Sequence, residues 1–418
     1  MKRNGFFSAL IGVCSSLTFT TAALASDYQT LFPKYAEVCA LSQKAKIGEE
    51  AERPWGHSLV FLRGVCRDLM SPIPQLVLCE PTAGSGVMVS VNSLTKNVNW
   101  IASEGEAYAF YGNVFPGTKL TTVEYDQAVQ YGLMTDIFKG VKPHIDQFKP
   151  GQLEKYQVNE ALVRSAVDID TAVTFGRDAY CARVPMNEQV LGDLIHWLNE
   201  KNQAFARTED YQWDAFKNNC AHLVHNAFAS LGVWPAKQTG TPPWQVSNLA
   251  VPANEFIDTM AVANLTDISD PTGIFRNPGW RRLLVEKNWL PARHGVVSRN
   301  LPIQTPNELY YGNLQIFVFD YPFSNKNEAL FHAFTQSSTY QDLAANLLRF
   351  HEIYSKSLQN LQDVSAYQAT LKDLPMSEQA QFPAFFVRYK DYLKEQLDDV
   401  TFKLSSFQLV SPLSQPTR

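Results

Sequence analysis

The chain has 418 residues, a formal net charge of −5, 45% hydrophobic and 12% aromatic residues, and only 18% charged ones. That apolar and aromatic content builds a large core and excludes a disordered chain. A mildly acidic chain lacks the basic footprint of nucleic-acid binding, so no nucleic-acid partner is expected.

Residues 1–25 read as a signal peptide. Lys2 and Arg3 supply the charged start, residues 6–24 carry no charge, and Ala23-Leu24-Ala25 fits the small-x-small cleavage pattern. A lipoprotein cleavage at Cys14 is disfavoured, because Ile11-Gly12-Val13 fits the required pattern poorly. Removing the segment takes the charge to about −7 by loss of Lys2 and Arg3. No later stretch is long and apolar enough to span a bilayer, so the expected location is periplasmic or secreted.

Residues 27–50 read as helical, with Leu31, Tyr35, Val38 and Leu41 at helical spacing. Residues 57–66 read as a strand, as do residues 86–92 after a Gly84-Ser85-Gly86 turn, and residues 106–114. Residues 124–138 and 151–165 look helical or irregular. A helix is expected over residues 189–202, and a second over 220–231 with Gly232 ending it. A Pro-, Asn- and Gly-rich stretch follows between residues 234 and 306, then an apolar strand over 314–319, then helices. The expected plan is α+β: a signal peptide (1–25), a catalytic domain (26–250) and a mostly helical C-terminal region (251–418).

Of six cysteines, Cys14 leaves with the signal. In an oxidising compartment, four of the remaining five can pair as two disulfides, in three possible ways, leaving one over. Cys220 is the candidate odd one. It opens a predicted helix in Asn218-Asn219-Cys220-Ala221-His222-Leu223-Val224. Backbone N–H groups and the helix dipole there stabilise a thiolate and hold an oxyanion. Such a site needs an imidazole, and His57 of Trp55-Gly56-His57-Ser58 offers one from the head of a strand. Ser90 and Asn92 share a face of the next strand, and either can accept the imidazole N–H and set its tautomer. Asn219 either assists the oxyanion or caps the helix, capping being preferred.

The Gly-His strand and Asn-Cys-x-His-Leu-Val helix resemble the permuted papain-like superfamily, in which the histidine strand precedes the cysteine helix. The cysteine motif is similar to that of the lecithin–retinol acyltransferase group. The combination with a signal peptide resembles a large family of exported bacterial proteins of unknown function, linked to permuted NlpC/P60-type folds, some membrane-bound members of which are associated with lipoprotein N-acyl transfer. The resemblance covers roughly residues 50–235, and Leu290-Pro-Ala-Arg-His-Gly295 looks like part of the same layout. It implies a helix-borne Cys220 nucleophile packed on an antiparallel sheet that carries the base, His57. One departure matters: no histidine lies between His57 and His144, whereas the acyltransferase group places a second one shortly after the first.

These readings converge on a cysteine-dependent hydrolase or amidase acting on a cell-envelope peptide, lipoprotein or lipid, with neither cofactor nor metal. An acyltransferase is the close alternative. A second alternative is a non-catalytic exported binding protein that retains the fold, in which Cys220 is a buried hydrophobe or a disulfide partner. His222 and His225 are read as structural, Arg293-His294-Gly295 as a loop contact, and the aromatic stripe over 382–402 as core packing.

Overall fold

The computed structural model describes residues 27–50, 55–237, 249–270, 274, 277–287, 289, 292–312 and 314–410. The expected signal peptide lies outside them. The fold is α+β around one antiparallel sheet of six strands in the order β6-β5-β2-β1-β7-β8. These are β1 (Tyr35–Leu41), β2 (His57–Arg63), β5 (Val87–Ser90), β6 (Ile101–Glu104), β7 (Ala179–Pro185) and β8 (Val297–Leu301). Two short strands, β3 (Val65–Arg67) and β4 (Leu76–Leu78), form a separate ribbon.

Helices cover both faces of the sheet. In chain order they are α1 (Asp27–Leu31), α2 (Glu106–Tyr111), α3 (Thr122–Met134), α4 (Gln152–Lys155), α5 (Val158–Ile169), α6 (Glu188–Thr208) and α7 (Cys220–Ala229). Then come α8 (Pro252–Ala263), α9 (Pro278–Glu286), α10 (Lys326–Gln336), α11 (Ser338–Gln341), α12 (Leu343–Asn360) and α13 (Met376–Val410). No helix among the described residues is long and apolar enough to cross a membrane.

Every residue of β1 and β2 is buried, which is why both read as nearly unbroken apolar runs. The alternation assigns their faces. Val38, Val60, Leu62 and Val89 pack with α6, α7 and α8, whereas Cys39, Leu59, Phe61 and Met88 pack on the opposite side. That second cluster takes in Trp280 of α9, Phe350 and Tyr354 of α12, and Phe382, Phe385 and Tyr389 of α13. The aromatic stripe near the C-terminus is therefore core.

Several expectations change. Residues 27–50 are not one helix: α1 ends at Leu31 and β1 follows. The helical spacing is coincidental, because a strand buried on both faces is apolar at nearly every position, Glu37 being the exception in β1. Residues 106–114 form no strand: α2 takes Glu106–Tyr111, bounded by Gly105 at φ 89° and Gly112 at φ 59°. The neighbouring strand is β6, which precedes it. Residues 314–319 make no regular strand; among the described residues, the Gln315 carbonyl accepts one bond from Gln43. β8, from the C-terminal region, adds the sixth strand to the sheet.

Two disulfides form. Cys39–Cys181 links directly paired positions of β1 and β7, and Cys66–Cys79 ties the β3–β4 ribbon. Cys220 is left unbridged and buried. Two disulfides fit an exported protein. Next to the first bridge lies a buried ionic group: Arg183 Nε sits 3.2 Å from Glu37, and Arg299 reaches both Glu37 (3.4 Å) and Glu106 (2.9 Å). Burial of these charges is tolerated because each has a partner of opposite sign.

Candidate functional site

Cys220 is the first residue of α7 and is 6% exposed. Asn219 caps the helix: its Oδ1 accepts from the His222 N–H at 2.9 Å. Its Nδ2 donates to the carbonyls of Ala215 (2.7 Å) and Ala250 (3.1 Å), so the cap is held from both sides. Asn219 thus acts as the helix cap.

His57 opens β2 and is fully buried. Gly56 before it has φ 74°, and a Cβ there would stand 2.0 Å from the Leu41 carbonyl oxygen. Only glycine brings the chain into β2 at that angle. The His57 Nε2 lies 2.7 Å from Ser90 Oγ. Ser90 Oγ donates to Asp170 Oδ1 at 2.8 Å, and Asn92 Nδ2 donates to Asp170 Oδ2 at 2.5 Å. The Asp170 carboxylate is also 3.6 Å from Nε2 directly.

This network assigns the tautomer. A serine hydroxyl has one hydrogen, and a carboxylate only accepts, so the Ser90 hydrogen points to Asp170. The Ser90 lone pair then accepts Nε2–H, and the His57 Nδ1 carries the lone pair a base needs. Ser90 and Asn92, expected as alternatives, occupy successive links of one chain of bonds. Asp170, which joins them, was not foreseen. It caps the C-terminus of α5 and lies 80 positions from Ser90, so no local spacing marks it.

By the strand alternation, His57, Ser90 and Asn92 share the face of Leu59 and Met88, and Cys220 belongs to the cluster on the face of Val60. Both stand at one end of the sheet. The loop after β5 carries Lys96, whose carbonyl accepts from the Tyr211 N–H at 3.0 Å. The Tyr211 hydroxyl donates to the Asn218 carbonyl at 3.4 Å, fastening the lead-in to α7 at the end where β2 begins.

The other histidines sort differently. His222 bonds through Nδ1 to the Asn219 side chain, in keeping with a structural role. His225 Nδ1 sits 2.7 Å from Glu255, and its ring stacks on Trp234. His225, Glu255 and Asp258 offer ligand atoms within 4.8 Å of one another. The Lys237 ammonium already lies 3.1 Å from Glu255, so the chain itself supplies the positive charge that a cation would bring. His294 is buried, with Nε2 3.2 Å from Asp399 of α13, and Gly295 N–H donates to Asn346 of α12. The Arg293-His294-Gly295 segment therefore fastens the C-terminal helices to the core. No family model, curated protein or solved structure matches this chain.

Proposed function

We propose that the chain is an exported thiol enzyme that attacks an amide or ester carbonyl through an acyl-enzyme on Cys220. His57 is its base, and Ser90, Asn92 and Asp170 are positioning residues. The reading rests above all on the hydrogen-bond chain that holds His57 with Nε2–H donated to Ser90, which leaves the ring lone pair on Nδ1. It requires Cys220 Sγ to come within reach of Nδ1 at the end of the sheet that the two share.

The steps then balance. The Cys220 thiol proton passes to Nδ1, and the sulfur forms a bond to the carbonyl carbon. Backbone N–H groups at the start of α7 hold the oxyanion. The carbon–nitrogen or carbon–oxygen bond breaks, and the leaving group takes the proton from the imidazolium. Water then cleaves the thioester in hydrolysis, or an amine or alcohol does so in acyl transfer. The substrate is a cell-envelope peptide, lipoprotein or lipid. The papain-like relationship is part of this proposal.

Alkylation by iodoacetamide at pH 7 tests the thiol. Rapid modification of one thiol, lost in Cys220→Ser and slowed in His57→Gln, supports the reading. Equal rates in wild type and His57→Gln oppose it.

A further inference from the structure

A cleft of about 470 Å3 opens between α6 and the first turns of α7, outside the His57 network. Trp197 and Phe205 of α6 and His222 of α7 line it, and the Lys201 ammonium lies 5.0 Å over one face of the Trp197 ring. His222 is 2% exposed. The Asn219 amide is oriented by its two Nδ2 bonds, so the atom 2.9 Å from His222 Nδ1 is an oxygen, which only accepts. Nδ1 therefore carries the hydrogen, and the Asn219 N–H, 3.5 Å from Nδ1, competes poorly with that bond. The lone pair is left on Nε2, which meets no hydrogen-bond partner among the described residues. Burial, with Lys237 adding to it, lowers the His222 pKa to about 4, so the ring stays neutral. A buried acceptor that lacks a donor, on a residue that lines a cleft, is what a ligand hydroxyl completes.

The rest of the lining narrows the ligand. Lys201 and Lys217 are matched by Asp210 and Asp214, so the cleft favours no net charge. Asn218 and Asn226 also line it, the first donating to the Gln212 carbonyl and the second accepting from the Lys237 N–H. A lining of aromatic and hydrogen-bonding groups, without surplus charge, suits a ring with one apolar face and several hydroxyls. We propose that this cleft binds a sugar ring of a neutral glycan, its apolar face on Trp197 and Phe205 and one hydroxyl donating to His222 Nε2. The inference does not rest on the thiol chemistry.

The test is calorimetric titration of the whole protein with N-acetylchitotetraose and with cellotetraose, alongside 15N spectra of the histidine side chains. Saturable binding of either sugar, with the His222 Nε2 resonance moving, is expected. Trp197→Ala should weaken binding at least about tenfold. Gln212→Trp, at an exposed rim position, should do the same by filling the mouth without disturbing the core. The proposal is overturned by no binding of either sugar up to about 10 mM, above the millimolar range of weak ligands, or by binding that survives Gln212→Trp.

Discussion

Replacing Asp170 with asparagine changes one atom and reverses the logic of the His57 network. The Asp170 carboxylate accepts from Ser90 Oγ at 2.8 Å and from Asn92 Nδ2 at 2.5 Å. An amide in its place presents one acceptor and one donor. If its oxygen keeps Asn92, its NH2 faces Ser90, whose hydrogen must then turn toward His57 Nε2. Nε2 becomes the acceptor, the ring proton moves to Nδ1, and the base is lost. If its oxygen keeps Ser90, two NH2 groups confront each other at Asn92. Losing a buried hydrogen bond to a charged group costs about 1.5–3 kcal/mol, which on an activation barrier is roughly a 10- to 150-fold loss of rate. The assay is the second-order rate of Cys220 alkylation by iodoacetamide at pH 7, with the thermal unfolding midpoint measured in parallel. A rate within about twofold of wild type, in a variant that is still folded, would refute this reasoning.

Three further outcomes concern stability. The Cys39–Cys181 bridge closes a separation of 142 residues and Cys66–Cys79 one of 13; by loop entropy, Cys→Ala pairs at these positions should cost about 5 and about 3 kcal/mol in denaturant unfolding. Gly56→Ala, at φ 74° and against the Leu41 carbonyl, should lose at least about 1–2 kcal/mol and slow Cys220 alkylation, since the same turn sets His57. His222 and His294 have pKa values lowered to about 4 by burial, so they favour the fold above the ordinary histidine range and lose that contribution as pH falls from about 6.5 to 4. Asp258 and Asp267, raised to about 6 by burial, act oppositely: the folded chain takes up their protons first, and stability gains as pH falls from about 6 to 4. Asp267→Asn removes one of the two offsetting groups and should lose stability more steeply on acidification, by about 1.4 kcal/mol per pH unit between 6 and 4; a slope equal to wild type would contradict the assignment.

The parts legible in the sequence were those with local causes. The head of β2 showed in an apolar run after Gly56, and α7 showed in a capping asparagine, an apolar stripe and a terminal glycine. The parity of the cysteines pointed to one left over, because the bridges are a matter of compartment and count, and the start of α7 pointed to Cys220 as that one. The segment from 27 to 50 misled because a central strand loses its alternation once both faces are covered. The segment from 106 to 114 misled because its aromatic residues resemble a strand, while two glycines at positive φ set a short helix there. Asp170 was invisible for another reason: its role exists only where the end of α5 meets β5, and nothing within its own turn of chain announces that.

The central claim is that the Cys220 sulfur reacts with a carbonyl under the control of His57. The most direct measurement is the mass of the protein after incubation with cell-envelope extract, followed by peptide mapping. The account predicts a mass increase on the peptide carrying Cys220, removed by hydroxylamine, and missing from both Cys220→Ser and His57→Gln. An adduct formed equally well by His57→Gln, or a Cys220 that stays unmodified across envelope peptides, lipoproteins and lipids, would contradict it.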